Sequence, residues 1–322
     1  MKKIFLPILC SLLTFCGPGP DYKYNIGTFP ETPVNMGSLN SEYDDYNSSS
    51  PVLGDTSPLC FSSNRNSKGK NYDIVYKLLD VFLLRETGEL IVRENNETNL
   101  DVYTQNSNLI NAVTTANSSS NELGPYLIPG NILLYASDKS GNLDIKFTHN
   151  KTGNYTDPKD ISFLNSEKDD AYPALTADSA KLYFCSNRES SFDIYNATLD
   201  PANTLLEELT YSTTKTITKD TTLSSTFNDK CPYIMKSLLV FVSDRPGGYG
   251  GFDLYYSVFK DGKWSKPVNF GDKINTPYDE YRPIVKDYGY EFTNNFMIFS
   301  SNRPGGKGGF DLYYVGTDKI AE

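Results

Sequence analysis

Five times in this 322-residue chain a serine-containing phrase ends in a basic side chain, and an aspartate then opens the next apolar run. The pairs are Arg65 and Asp73, Lys139 and Asp144, Arg188 and Asp193, Arg245 and Asp253, and Arg303 and Asp311. A basic group and a carboxylate at close range make charge-assisted hydrogen bonds. Such pairs suit two tasks: fastening a strand-loop-strand unit, or gripping a charged ligand. A second set of acids, Glu122, Asp170, Asp229 and Glu280, stands in polar quartets ending in proline ahead of four of the phrases, and residues 47–51 carry a degenerate version ahead of the first. If both sets share one face they make a ring of alternating charge, the candidate binding face. The simpler reading is structural, because these residues recur in every copy whereas a ligand site ordinarily breaks symmetry.

Other chemistries find less support. Paired carboxylates set several ångströms apart can hydrolyse glycosides, and 40 acidic residues supply many combinations whose distances sequence does not fix. His149 is the single histidine and no Gly-x-Ser-x-Gly elbow is present, which argues against a Ser-His-Asp hydrolase. The glycine-rich stretch 304–309 has no Lys-Ser or Lys-Thr pair and no helical pattern after it, so it does not read as a phosphate loop. Cys60 and Cys185 lie in strand-like runs, and with Cys231 their spacing fits neither a zinc motif nor a disulfide framework. A net charge of −10 argues against nucleic acid bound through its phosphates. The expectation is therefore no metal, no cofactor, no nucleic-acid partner and no enzymatic activity.

The elements that must carry these residues repeat with them. Between each quartet and its phrase lie strand-forming residues broken by a polar turn, as in residues 174–183, and the aspartate opens a third strand. Each unit reads as strand, turn, strand, loop, strand and a more variable fourth strand, the pattern of a propeller blade. The basic positions are 74, 49, 57 and 58 residues apart. A blade needs roughly 40 to 45, so the excess of the first interval is expected as loop over residues 95–121. Residues 33–37, Pro-Val-Asn-Met-Gly, match 267–271, Pro-Val-Asn-Phe-Gly, which form a fourth strand. The last copy lacks one, so residues 31–40 are expected to pair beside 311–315 and close the ring. The fold class is all-β: a five-bladed propeller, with six blades as the alternative. Trp264 is expected to pack in a fourth-strand position, matching Tyr155.

The fourth copy, Ser243-Asp244-Arg245-Pro246-Gly247-Gly248 through Asp253-Leu254-Tyr255, resembles the PD40, or WD40-like, repeat of the TolB-like propellers. That resemblance covers most of the chain after residue 31 and implies protein partners.

At the start, Lys2 and Lys3 precede an apolar run over residues 4–13 and then Cys16, which resembles a bacterial lipobox except that Phe15 stands where a small residue is usual. The organisation expected is a signal peptide over 1–15, a lipidated Cys16 with a flexible tether over 16–30, and a propeller over 31–322. The protein would be exported and held on a membrane, the outer membrane by preference, through its acyl chains. The functional expectation is a non-enzymatic scaffold binding an envelope protein or polymer. The alternative is a glycan-active or glycan-binding propeller using funnel carboxylates.

Overall fold

Each polar quartet becomes the start of an innermost strand, and each serine phrase the end of the strand beside it. The structure, a computed structural model, describes residues 22–50, 55–96, 100–128 and 131–320. The expected signal peptide, Cys16 and the tether as far as residue 21 lie outside the described residues.

Strand β1 (Val34–Asn35) belongs to the last blade. The first blade is β2 (Asp45–Ser49), β3 (Thr56–Ser63), β4 (Asp73–Leu84) and β5 (Glu89–Glu94). The second is β6 (Glu122–Ile128), β7 (Ile132–Ser137) and β8 (Asp144–Lys151), whose outer edge takes β9 (Asn154–Tyr155) and β10 (Lys159–Asp160). The third is β11 (Asp170–Leu175), β12 (Lys181–Ser186), β13 (Asp193–Thr198) and β14 (Ile217–Lys219). The fourth is β15 (Asp229–Met235), β16 (Leu238–Ser243), β17 (Asp253–Lys260), β18 (Lys263–Trp264) and β19 (Val268–Asn269). The fifth is β20 (Glu280–Lys286), β21 (Asn295–Ser301), β22 (Asp311–Thr317) and, from the other end of the chain, β1. Five blades are thus formed among the described residues, and every pairing between their strands is antiparallel.

Blade packing explains the continuous apolar runs. The second strands β7, β16 and β21 are buried at every position, since a blade between two neighbours has both faces covered and needs no polar alternation. Trp264 in β18 is 7% exposed, donates its indole N–H to Tyr183 Oη at 3.0 Å and occupies the position that Tyr155 takes in β9.

The long first interval holds no extra blade among its described residues, and it is not the loop expected over 95–121. Helix α1 (Leu100–Ala116) fills most of it. Its small residues Ala112, Val113 and Ala116 let the last turns lie against Cys60, Ile74, Leu127, Leu133 and Tyr135. A second helix, α2 (Leu205–Tyr211), starts on a reciprocal capping box between Thr204 and Glu207. Neither helix carries a long apolar stripe, so the sequence pattern does not announce them.

The ring closes as the match between residues 33–37 and 267–271 predicts. Val34 pairs with Tyr314 and Asn35 with Tyr313, just as Val268 pairs with Tyr256 and Asn269 with Tyr255 in the blade before. An asparagine behind each of these strands clamps the third strand: Asn40 exchanges two hydrogen bonds with Leu312, and Asn275 does the same with Leu254. Asn117 and Asn165 repeat the clamp on Ile74 and Ile145. Ordered packing starts before the expected boundary at residue 31, for Gly27 bridges to Phe292 and the fully buried Phe29 stacks on the Phe292 ring at 4.1 Å.

Candidate functional site

The repeat charges do not form an open ring. Asp45, Asp170, Asp229 and Glu280 have no exposed surface, and Glu122 is 1% exposed. The basic groups of four copies turn inward to them: Arg65 reaches Asp45 at 2.5 Å, Arg188 Asp170 at 2.6 Å, Arg245 Asp229 at 2.5 Å and Arg303 Glu280 at 2.9 Å. The pairing is thus with the acid of the innermost strand and not with Asp73, Asp193, Asp253 or Asp311, the partners that proximity in sequence suggests. Each guanidinium also donates to the carbonyl that follows the fourth strand (Leu39, Leu164, Leu223, Ile274) and lies over the phenylalanine of its own phrase, as Arg188 does over Phe184 at 5.1 Å. One cation therefore ties the two inner strands of its own blade to the end of the fourth strand of the blade before it.

The third-strand aspartates serve their own loops. Asp253 accepts from the backbone of Tyr249 and Gly250, and Asp311 from Lys307 and Gly308. Asp193 holds Lys219 at 2.6 Å, Asp73 accepts from Asn66, and Asp144 from Ser140 and Asn142. The glycine-rich stretch 304–309 thus wraps a carboxylate. A side chain at Gly308 would collide with the Tyr43 carbonyl, 1.9 Å away.

The second copy breaks the pattern. Lys139 is exposed, and among the described residues Glu122 has no cation and accepts only from Ser118 N, Ser118 Oγ and Ser137 Oγ. Burial raises the Glu122 carboxyl above its ordinary range, and these hydrogen bonds pull it part of the way back. A carboxyl with a raised folded pKa binds its proton more tightly in the folded chain. Its stabilising effect is therefore present in acid and is lost as pH climbs through the raised value. Glu122→Gln keeps a neutral side chain at every pH, so its stability relative to wild type should increase as pH rises above the ordinary carboxylate range. Denaturant titrations across that rise measure this, and a constant difference would refute it.

What reaches the mouth of the axial channel is aromatic. The residues just ahead of the third-strand aspartates are Tyr72, Leu143, Phe192, Phe252 and Phe310, all half-buried. Those just after the inner acids are Tyr46, Leu123, Ala171, Lys230 and Tyr281, of which only Ala171 is fully buried. Tyr46 lies 5.0 Å from Tyr72 and 5.7 Å from Phe310, while Tyr281 lies 5.3 Å from Phe252. The Lys230 ammonium sits over Phe192 at 4.1 Å and Phe252 at 5.1 Å and has no carboxylate partner among the described residues. The mouth is thus a bowl of ring faces drawn from the first, third, fourth and fifth blades, with one ammonium in it. The reading of polar residues missed it, although an aromatic precedes the repeat aspartate in four copies of five.

Below the bowl the channel is plugged. Every inner strand carries a β-bulge, and the bulged residues Asn47, Gly124, Tyr172, Cys231 and Arg282 all have positive φ, between 47° and 59°. Tyr172 spans the axis: its ring would be 2.4 Å from a Cβ at Gly124, its hydroxyl is 3.5 Å from Asn47 Nδ2, and the Arg282 guanidinium is 5.3 Å from its ring centre.

No family model and no curated protein matches the sequence. Solved structures do. The α-L-arabinofuranosidase PaAbf62A from Podospora anserina, in complex with cellotriose, is similar over 92% of this chain and 98% of its own, at 10% identity and a TM-score of 0.53. A thermostable family-43 glycoside hydrolase is similar over 91% and 93%, at 10% identity and a TM-score of 0.52. A TolB from Agrobacterium tumefaciens covers 91% and 100% at 11% identity, with a TM-score of 0.44. At such identities the fold is what is shared. The expectation of a chain without enzymatic activity is nonetheless corrected here, because the ring it builds is in the first two proteins that of a glycoside hydrolase.

Proposed function

We propose that this propeller is glycan-directed and takes a saccharide at the aromatic bowl. The observation that carries the reading is the cluster of half-buried rings around Lys230, which sits where the symmetry of the charge circuit gives way to individual side chains. Ring faces stack against the C–H faces of sugars, and an ammonium held between two phenylalanines, with no carboxylate partner among the described residues, can take a sugar carboxylate or hydroxyl. Carboxylates of the inner strands are not the recognition groups, since four of them are closed off by their arginines and Glu122 by serines. Two glycoside hydrolases of the same fold are described with oligosaccharides bound, cellotriose in one and xylotriose in another, which supports the class of ligand. The protein-binding alternative rests on the TolB resemblance alone.

Calorimetric titration with a panel of neutral and uronic-acid oligosaccharides tests the proposal, with product release followed in the same mixtures by chromatography. Phe192→Ala should weaken saccharide binding about tenfold, the worth of one aromatic contact. Lys230→Met should weaken acidic members more than neutral ones. Failure of the whole panel to bind would sink the reading, and product release would extend it from binding to hydrolysis.

A further inference from the structure

Arg282 is a large cation at the axial plug with no counter-charge among the described residues. It is fully buried, its Nε and Nη1 make no hydrogen bond, and its Nη2 has only a long 3.4 Å contact with the Pro125 carbonyl across the channel. The four circuit arginines show what this ring does with a buried guanidinium: each lies within 2.9 Å of a carboxylate. Arg282 is held instead at a left-handed bulge position with φ 47°, against the face of Tyr172. For a non-glycine residue that conformation is itself unfavourable. On the neighbouring inner strand of the first blade, Asn47 Oδ1 and Ser48 Oγ are also buried without hydrogen-bond partners.

A guanidinium taken out of water loses several kcal/mol of solvation unless something replaces it. Tyr172 replaces a part through its ring face. Two donor nitrogens without a hydrogen-bond partner leave room in the bonding pattern for an acceptor, and a negative one answers the charge as well. We infer that the axial plug holds a small inorganic anion of chloride size on Arg282, sealed below the aromatic bowl. The inference is independent of the saccharide reading, because Arg282 has no exposed surface from which to touch a ligand in the bowl.

Chloride and gluconate, matched in ionic strength, separate a bound ion from general screening. The melting temperature of the chain should rise by roughly 5 °C over a hundredfold increase in chloride, following ligand linkage, and should stay level in gluconate. In Arg282→Met the chloride dependence should vanish. Crystals of wild type refolded in sodium bromide should show an anomalous peak within hydrogen-bond distance of Arg282 Nε or Nη1. The wild-type bromide map decides the matter even if the variant fails to fold. Superposed chloride and gluconate melts together with no anomalous peak at Arg282 would overturn the proposal and leave water as the occupant.

Discussion

Replacing Arg188 with methionine is expected to lower the free energy of unfolding by about 3 to 5 kcal/mol, the usual effect of stranding one partner of a buried ion pair. Asp170 has no exposed surface, and besides the Arg188 bond it accepts only from Ser166 N and Ser166 Oγ. Without the guanidinium its second oxygen is a buried anion with nothing to replace water. The Leu164 carbonyl loses its donor in the same step. Methionine preserves much of the stem's contact with Phe184 and Tyr195, so the charge effect is isolated from packing. The double variant Asp170→Asn with Arg188→Met should recover much of the loss, because a neutral pair carries no stranded charge. Urea titration of the wild type, both single variants and the double variant measures the coupling. If Arg188→Met melts out at the wild-type denaturant concentration, the pair is not what holds the blade.

That circuit also shows where the sequence was legible and where it was not. The blade pattern could be read because its strands are short apolar runs between polar turns, and because five copies reinforce one another. The ion pairs were misassigned because residues near in sequence, Arg188 and Asp193, face different loops, whereas Arg188 and Asp170 meet only once antiparallel pairing sets Asp170 opposite Ser186. In the first copy the inner acid was sought within residues 47–51, with proline taken as the marker. The structure gives Asp45, in Ser41-Glu42-Tyr43-Asp44-Asp45, the counterpart of Ser166-Glu167-Lys168-Asp169-Asp170. A hydroxyl residue four places ahead of the acid, not proline, is the more constant landmark: Ser41, Ser118, Ser166, Ser225 and Thr276 each donate backbone N–H and hydroxyl to their acid. The bowl at the mouth was overlooked for a physical reason. Its rings come from positions adjacent to the repeat polar residues, and only the inward convergence of five blades brings them together.

Chains beginning at residue 22 and at residue 41 should differ far more than their nineteen-residue gap in length suggests: the first should melt cooperatively, the second should aggregate without a cooperative transition. The intervening segment does not behave as a tether. Phe29 is fully buried among Tyr288, Phe292 and Phe296, and Met36 and Leu39 are 4% and 1% exposed within the same core cluster. Truncating one such side chain usually costs about 2 to 5 kcal/mol, so losing three approaches the whole stability of an ordinary domain, about 5 to 15 kcal/mol. Polar ties go as well. Asn40 no longer clamps Leu312, Asn35 no longer meets Asp311, and Arg65 loses the Leu39 carbonyl, which loosens the first blade as well as the last. Strand β22 is then an open edge bearing Leu312, Tyr314 and Val315, a template for pairing with another copy. A flexible tether over residues 16–30, as the sequence leads one to expect, would make removal of residues 17–30 nearly neutral. Phe29 reverses that, and Phe29→Ala alone should cost about 3 to 5 kcal/mol by denaturant titration. Equal cooperative melts for the two truncations would mean that the last blade holds without its borrowed strand, and that closure of the ring lies in the contacts between inner strands alone.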